Sequence, residues 1–225
     1  MAVGRVVELH RFPVKSLQGE RLERVDVDLR GLVGDRAWAV REPDDKLGSG
    51  KSTRRFRRMA GLLELHATYD GGRVGEGPVV ALPDGRSWRA PDAELDEALT
   101  AYVGRPVALA PEADVAHHDE GPLHLVTTAT LGRLATDGVV LRANLVLDVP
   151  GLEAFAEDGW SGRELRVGGG GLVLRVREPM PRCVMVGTEV LHETTRLNDG
   201  CAGVVVDVVG PGPVAVGDDA VLAGR

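Results

Sequence analysis

Cysteine is scarce: the 225 residues hold two, Cys183 and Cys201. Two thiols exclude a disulfide scaffold. A single bridge between them stays open, but in an acidic chain of enzyme size they read better as reduced thiols, and a cytoplasmic location is expected. Positive charge is in deficit, with 27 Lys and Arg against 34 Asp and Glu and a net charge of −7. That argues against a general binder of nucleic acid or of an anionic membrane, which needs a basic face. Long apolar runs are missing: none approaches the ~18 residues of a membrane span. The opening Met1-Ala2-Val3-Gly4-Arg5 leads into no long apolar stretch, so no secretory leader is expected.

Aromatic residues are also few, at 4%, whereas glycine is plentiful, with 30 residues, beside 13 prolines. The glycines are scattered between short Val-rich runs. Many short strands joined by Gly-bearing turns point to a barrel or sandwich.

Period-2 alternation marks residues 22–30, where Val25, Val27 and Leu29 share one face, and residues 63–69, through Leu63, Leu65, Ala67 and Tyr69. Strands are also expected at 3–11 and 35–41, and Gly71-Gly72 fits a hairpin turn. A helix is expected after Asp92, with Leu95, Leu99 and Tyr102 on one face and Gly104 as its stop. The acidic stretch 112–120, with His117-His118, reads as a connection between two halves. A short second helix starts at Thr127 or Thr128 and buries Leu131 and Leu134. From there strands are expected to the end, at 143–149, 163–167, 171–178, 183–187, 203–209 and 213–222. The boundary falls near residue 110: an N-terminal domain over 1–110 and a second β-rich domain over 111–225.

Several familiar chemistries find no anchor. Gly48-Ser49-Gly50-Lys51-Ser52-Thr53 ends like a phosphate-binding loop, but Asp45 stands where that loop needs its first glycine. The six histidines show no ligand spacing and there is no Cys-x-x-Cys, which argues against structural zinc. No Gly-x-Ser-x-Gly elbow is present. What stands out is a cluster of cations, Lys51, Arg54, Arg55, Arg57 and Arg58, with Lys15 and Arg36 at other strand ends. Alone the cluster reads as a solvated loop face. Should the groups converge, they make a pocket for phosphate or another small anion. Cys201, within Asp199-Gly200-Cys201-Ala202-Gly203, reads as a small turn or core residue. Cys183 follows the stiff Pro179-Met180-Pro181 and stands beside Arg182, which favours thiolate. Structural and functional roles are both open for it.

Taken together, several segments resemble the MOSC domain, named for the C-terminal domain of molybdenum-cofactor sulfurase, with the N-terminal β-barrel domain that precedes it. They are Phe12-Pro13-Val14-Lys15-Ser16, Gly34-Asp35-Arg36, Asp119 to Leu131, Arg142-Ala143-Asn144, Ala156-Glu157-Asp158-Gly159-Trp160, Arg182-Cys183 and Val216-Gly217-Asp218. The resemblance implies a mainly β fold with a few helices, a MOSC-type β-barrel preceded by a smaller β-rich N-terminal domain. It also implies a bound molybdenum cofactor (molybdopterin), as in the related mitochondrial amidoxime-reducing component, and the family is further associated with pyridoxal phosphate binding. By the same resemblance Cys183 is the metal ligand and a catalytic residue, and Asp119 is an acidic residue near the metal. Lys15, Ser16, Arg36 and Arg55 take the cofactor's anionic end, Arg142 and Asn144 line the pterin, and Thr127 and Thr128 supply hydroxyl or backbone contacts. Soft thiolate ligation suits such a centre. The function implied is an oxidoreductase acting on N-hydroxylated small molecules, fed by a separate electron-donor protein because the chain has neither a ferredoxin-like cysteine set nor a dinucleotide fingerprint. Two alternatives stay open: a sulfur carrier with a Cys183 persulfide, and a non-catalytic cofactor-binding module. The segment after Cys183, Val184 to Glu189, departs from the family's usual pattern.

Overall fold

A computed structural model describes residues 4–114, 116–118 and 120–223. Their contacts divide them into two units: one from the described parts of 1–10, 21–33 and 119–225, the other from 11–20 and 34–118. The single cut near residue 110 expected from sequence is not how the contacts divide. The first strand and the 21–33 hairpin belong with the C-terminal strands.

In the first unit seven strands close into a barrel. Around the ring they run Gly4–Arg11, Leu145–Asp148, Leu123–Thr127, Cys201–Gly210, Leu172–Pro181, Glu164–Val167 and Asp219–Leu222, which returns to Gly4–Arg11. Closure depends on Gly4–Arg11, which pairs antiparallel with Leu145–Asp148 on one side and with Asp219–Leu222 on the other. Alternating residues fill the interior. Leu165 and Val167, Leu172, Leu174 and Val176, and Val204 and Val206 are all buried in one cluster with Val6, Leu9 and Leu125. Closing the ring removes the sheet edges.

One stretch of the barrel wall is buried on both faces. Leu123–Thr127 and Leu145–Asp148 are parallel neighbours, so their connection must cross over, and it carries helix α1 of this unit, Thr128–Leu134. Val126, Leu131, Leu134, Val146, Val186 and Ala202 pack outside the ring, with Val190, Leu191 and Leu197 against them. Those last three lie on a second helix, α2 (Thr188–Asn198), in a region expected to be strand and loop. Val190, Leu191, Thr194 and Leu197 recur at helical spacing, but the many β-branched residues and a Gly187 start obscure the pattern. Residues 184–186 form a short 3-10 turn, not the expected strand. The expected strand 213–222 is two strands in different sheets, Gly212–Ala215 and Asp219–Leu222. Gly212–Ala215 joins Arg24–Asp28 and Gly31–Leu32, where Val25 and Val27 are buried as expected but Leu29 is 67% exposed in the turn.

In the second unit one sheet runs Ala108–Pro111, Trp38–Arg41, Leu47–Ser49, Phe56–Arg58 and another runs Ser87–Arg89, Val79–Ala81, His66–Thr68. Helix α3 (Ala93–Val103) covers them through Leu95 and Leu99. Asp92 caps it, accepting from the backbone N–H of Glu94 at 2.7 Å, and Gly104 ends it in the left-handed conformation. The Gly71-Gly72 pair is not a two-residue hairpin. It sits in 3-10 turns at 70–72 and 74–76 that lead from His66–Thr68 to Val79–Ala81.

Among the described residues no helix is long and apolar enough to cross a membrane.

Candidate functional site

In the barrel unit, Cys183 sits where the long strand Leu172–Pro181 gives out. Its pairing with Cys201–Gly210 slips between Val176 and Glu178 and again between Pro179 and Pro181. Proline cannot donate to the ladder, so the strand leaves the sheet there. Cys183 follows in extended backbone, half-buried and free of any disulfide, as is Cys201. The turn is tied down by Arg182. Its backbone N–H donates to Gly200 O at 2.8 Å. Its guanidinium donates from Nε to Ala202 O at 3.0 Å and from Nη1 to Leu141 O at 2.9 Å, while Nη2 meets the His124 ring. Arg182 is therefore an anchor that fixes the Cys183 turn to two neighbouring segments.

A second cluster lies at the start of Cys201–Gly210. Asn198, at the end of α2, donates from Nδ2 to Asp158 Oδ2 at 2.8 Å and to Cys201 O at 3.1 Å. The other carboxyl oxygen of Asp158, Oδ1, is shielded from water and has no hydrogen-bond partner. Burial pushes the Asp158 carboxyl up, against the opposing bond from Asn198. Burial, and then the Asp158 charge, pushes the Cys201 thiol up, whereas Arg182 pulls it down. Beside it Glu157 is fully buried and also pushed up by burial. A buried carboxyl oxygen without a partner is costly, on the order of 1–3 kcal/mol, and calls for an explanation. The sequence motif that contains Asp158 was legible, but nothing in it marks which side chain keeps a free oxygen.

Several residues expected at the cofactor have tasks inside the fold. Asn144 is fully buried, accepting at Oδ1 from the His124 backbone N–H at 3.1 Å and donating from Nδ2 to His10 O at 3.1 Å. It clamps two strands of the ring. Thr127 caps its helix by accepting from Thr130 N at 3.3 Å, and its hydroxyl donates to Glu157 Oε2 at 3.1 Å. Thr127 is fully buried, so its hydroxyl faces the interior. Thr128 donates to Asp148 Oδ1 at 2.8 Å. Arg142 is half-buried, with φ of 54°. Asp119 lies outside the described residues.

In the second unit the cations gather around two groups. Lys15, Lys51 and Arg55 place their charges 4.8, 5.2 and 5.1 Å from the centre of the Phe56 ring. Lys15 and Arg41 meet at His117: Lys15 Nζ donates to its carbonyl at 2.9 Å and its Nε2 lies 3.1 Å from Arg41 Nη2, while its Nδ1 lies 3.1 Å from the Arg36 backbone carbonyl. Arg36 also pairs with the fully buried Asp35 and stacks 4.8 Å from Phe12. Ser16 Oγ donates to Gly48 O at 3.0 Å. Arg55 donates to the carbonyls of His118 and Ala116. His117 read as part of a polar connection in the sequence; it is instead a buried hub. Burial and the charges of Arg41 and Lys15 lower its pKa to about 4, against Glu112 and the Arg36 carbonyl.

The unfolded chain therefore binds a proton at His117 between pH 6.5 and about 4 that the folded chain refuses. Stability at this site is intact above pH 6.5 and is lost as pH falls toward 4. His117→Gln is expected to flatten the acid limb of a chemical-denaturation profile relative to the parent. Parallel profiles would show that the histidine is not held neutral.

Seven non-glycine residues among those described have positive φ, and three of them are expected cofactor residues: Ser16 at 68°, Arg36 at 48° and Arg142 at 54°. Such conformations cost about 1–3 kcal/mol each and concentrate at ligand sites.

Comparison with known proteins now adds to the geometry. Residues 3–74 match the MOSC N-terminal beta barrel domain, and residues 100–221 match the MOSC domain. The chain belongs to the MOSC domain family. This family is associated with binding of the molybdenum cofactor. Among solved structures, the YuaD protein of Bacillus subtilis is 14% identical with a TM-score of 0.52, over 99% of this chain and 97% of that one. That likeness shows the fold. YiiM of Geobacillus stearothermophilus is 18% identical with a TM-score of 0.35, over 46% of this chain and 55% of that one. Comparison with curated proteins returns no match.

The residues of this MOSC protein can be set against what the cofactor needs. A soft metal needs a thiolate donor, which the free, half-buried Cys183 can be. An anionic end needs cations, and Lys15 and Arg36 supply them. Taken unit by unit, the chemistry of Cys183 in the first and of Lys15 and Arg36 in the second fits what such a group needs.

Proposed function

We propose that this MOSC protein is a molybdenum-cofactor-dependent oxidoreductase that reduces N-hydroxylated or related N-oxygenated small molecules, with electrons from a separate protein. The observation that carries the reading is the anchored, free Cys183 turn within a matched MOSC domain. When bound, the cofactor supplies the two-electron couple. The overall change is R–NH–OH plus two electrons and two protons giving R–NH2 and water.

Cys183 is the protein's ligand to molybdenum, and Arg182 holds its turn in place. Asp158 is proposed to hold and release one of the protons. Burial raises its pKa toward the protonated form, and Asn198 holds Oδ2 while Oδ1 has no partner within the protein. Lys15, Ser16 and Arg36 are assigned to oxyanion recognition and Arg142 to cofactor contact. The hydroxyls and carbonyls around them keep them rigid.

The test is metal content. Protein purified from cells that synthesise the cofactor is expected to carry molybdenum near one per chain, and protein from a cofactor-deficient host to carry none. Metal-free protein from both hosts, with sulfane sulfur on Cys183, would instead establish the sulfur-carrier reading.

A further inference from the structure

Arg54 and Arg55, directly after the Gly/Ser loop 48–53, line a cavity of about 610 Å3 in the second unit. A volume of this size suits a small ligand. Four cations line it, Arg41, Lys46, Arg54 and Arg55, along with Leu47.

Three carboxylates line it as well, and their state decides the sign of the site. Asp44 is bound to Lys46 at 2.9 Å and to Arg57 at 3.5 Å, and the Lys46 hydrogen bond holds its carboxyl below the usual range. That group neutralises itself. Asp45 is 89% exposed and reaches Arg41 only at 4.0 Å. Asp114 is exposed. Three guanidinium groups therefore face two carboxylates that sit in solvent, where their charge is screened most.

The arginines are also underused. Arg41, with 19% of its side chain exposed, has one contact to a neutral imidazole nitrogen and the distant Asp45. Arg55 spends Nη1 and Nη2 on backbone carbonyls, which leave its charge uncompensated. In both residues Nε is shielded from water and has no acceptor. The Nε–Nη edge is the one that grips an oxyanion with two parallel bonds. A small turn of either guanidinium toward the cavity would present that edge.

We propose that this cavity is an oxyanion site for the phosphate group of a small organic phosphate, gripped by Arg41, Arg54 and Arg55. Lys15, Ser16 and Arg36 do not line it, and Arg55, which the resemblance placed at the cofactor's anionic end, is assigned here instead, so the proposal does not rest on the cofactor reading. Three arginines favour a doubly charged group, and the volume leaves room for the rest of the molecule. The exposed Asp45 and Asp114 select at the mouth, weakening a bare anion and favouring one that carries a polar or cationic portion beside its phosphate.

The experiment uses the full chain, inorganic phosphate and the arginine reagent phenylglyoxal, with modification sites mapped by peptide mass spectrometry. Phosphate is expected to protect Arg54 and Arg55 while the exposed Arg24 reacts as before. In calorimetry Arg54→Ala is expected to weaken phosphate about tenfold, since a charge-assisted hydrogen bond contributes about 1.5 kcal/mol or more. Asp114→Asn is expected to strengthen it. Arg54 and Asp114 are exposed, so neither change threatens folding. Equal protection of Arg24 and Arg54, or phosphate affinity indifferent to both substitutions, overturns the proposal. Failure here leaves molybdenum content untouched, and absence of molybdenum leaves arginine protection untouched.

Discussion

Cys183→Ser protein, produced where the cofactor is made, is expected to lose turnover of an amidoxime by more than about 100-fold. Changing groups outside the metal's immediate ligands already costs about 10–100-fold, and removal of the ligand itself exceeds that. Serine is nearly isosteric and Cys183 is only half-buried, so folding should persist. Cys201→Ser is the control. Burial and Asp158 hold the Cys201 thiol up, away from the thiolate form that a metal takes. Its variant is expected to keep most of its activity. The assay follows reduction with a chemical electron donor, so the natural donor is not needed. Equal losses in the two variants would mean that neither thiol is special, and intact turnover in Cys183→Ser would remove the ligand assignment.

The second large effect is on stability. Asn144→Ala is expected to destabilise the barrel unit by about 2–5 kcal/mol, because it strands the His124 N–H and the His10 carbonyl inside the ring. For a chain of this size that corresponds to a fall in Tm of roughly 5–15 °C. Trp160 lies in the barrel cluster, so its fluorescence, with Trp38 and Trp88 replaced by Phe, follows this unit alone. Asn144→Asp keeps an acceptor for His124 N–H but no longer donates to His10 O. Its loss should be of similar size, since it adds a buried charge. A change in Tm of less than about 2 °C in both variants would show that the clamp is not needed.

Barrel strands were legible wherever alternation was strong. Leu172, Leu174 and Val176 point inward as their spacing demands, and Asp92 and Gly104 delimit their helix as capping chemistry requires. The helix Thr188–Asn198 was not legible, because its three threonines and its glycine start read against helix, while the burial of Val190, Leu191 and Leu197 against the outside of the ring decides otherwise. Tertiary packing outweighed local preference there. The site divides in the same way. Cys183, Lys15 and Arg36 stand out by residue type and neighbours. The duty of Asn144 is set by partners 20 and 134 residues away, and the unpartnered oxygen of Asp158 exists only once α2 has brought Asn198 to the other side of its carboxyl. His117 is a similar case: a histidine in a polar stretch became a neutral hub because it is buried and two cations, Arg41 and Lys15, converge on it.

The most direct measurement is X-ray absorption at the molybdenum edge, on protein purified with its cofactor and on the Cys183→Ser variant loaded in the same way. The account predicts one molybdenum–sulfur bond fewer in the variant than in the parent. An unchanged sulfur count, with molybdenum present in both, would contradict it.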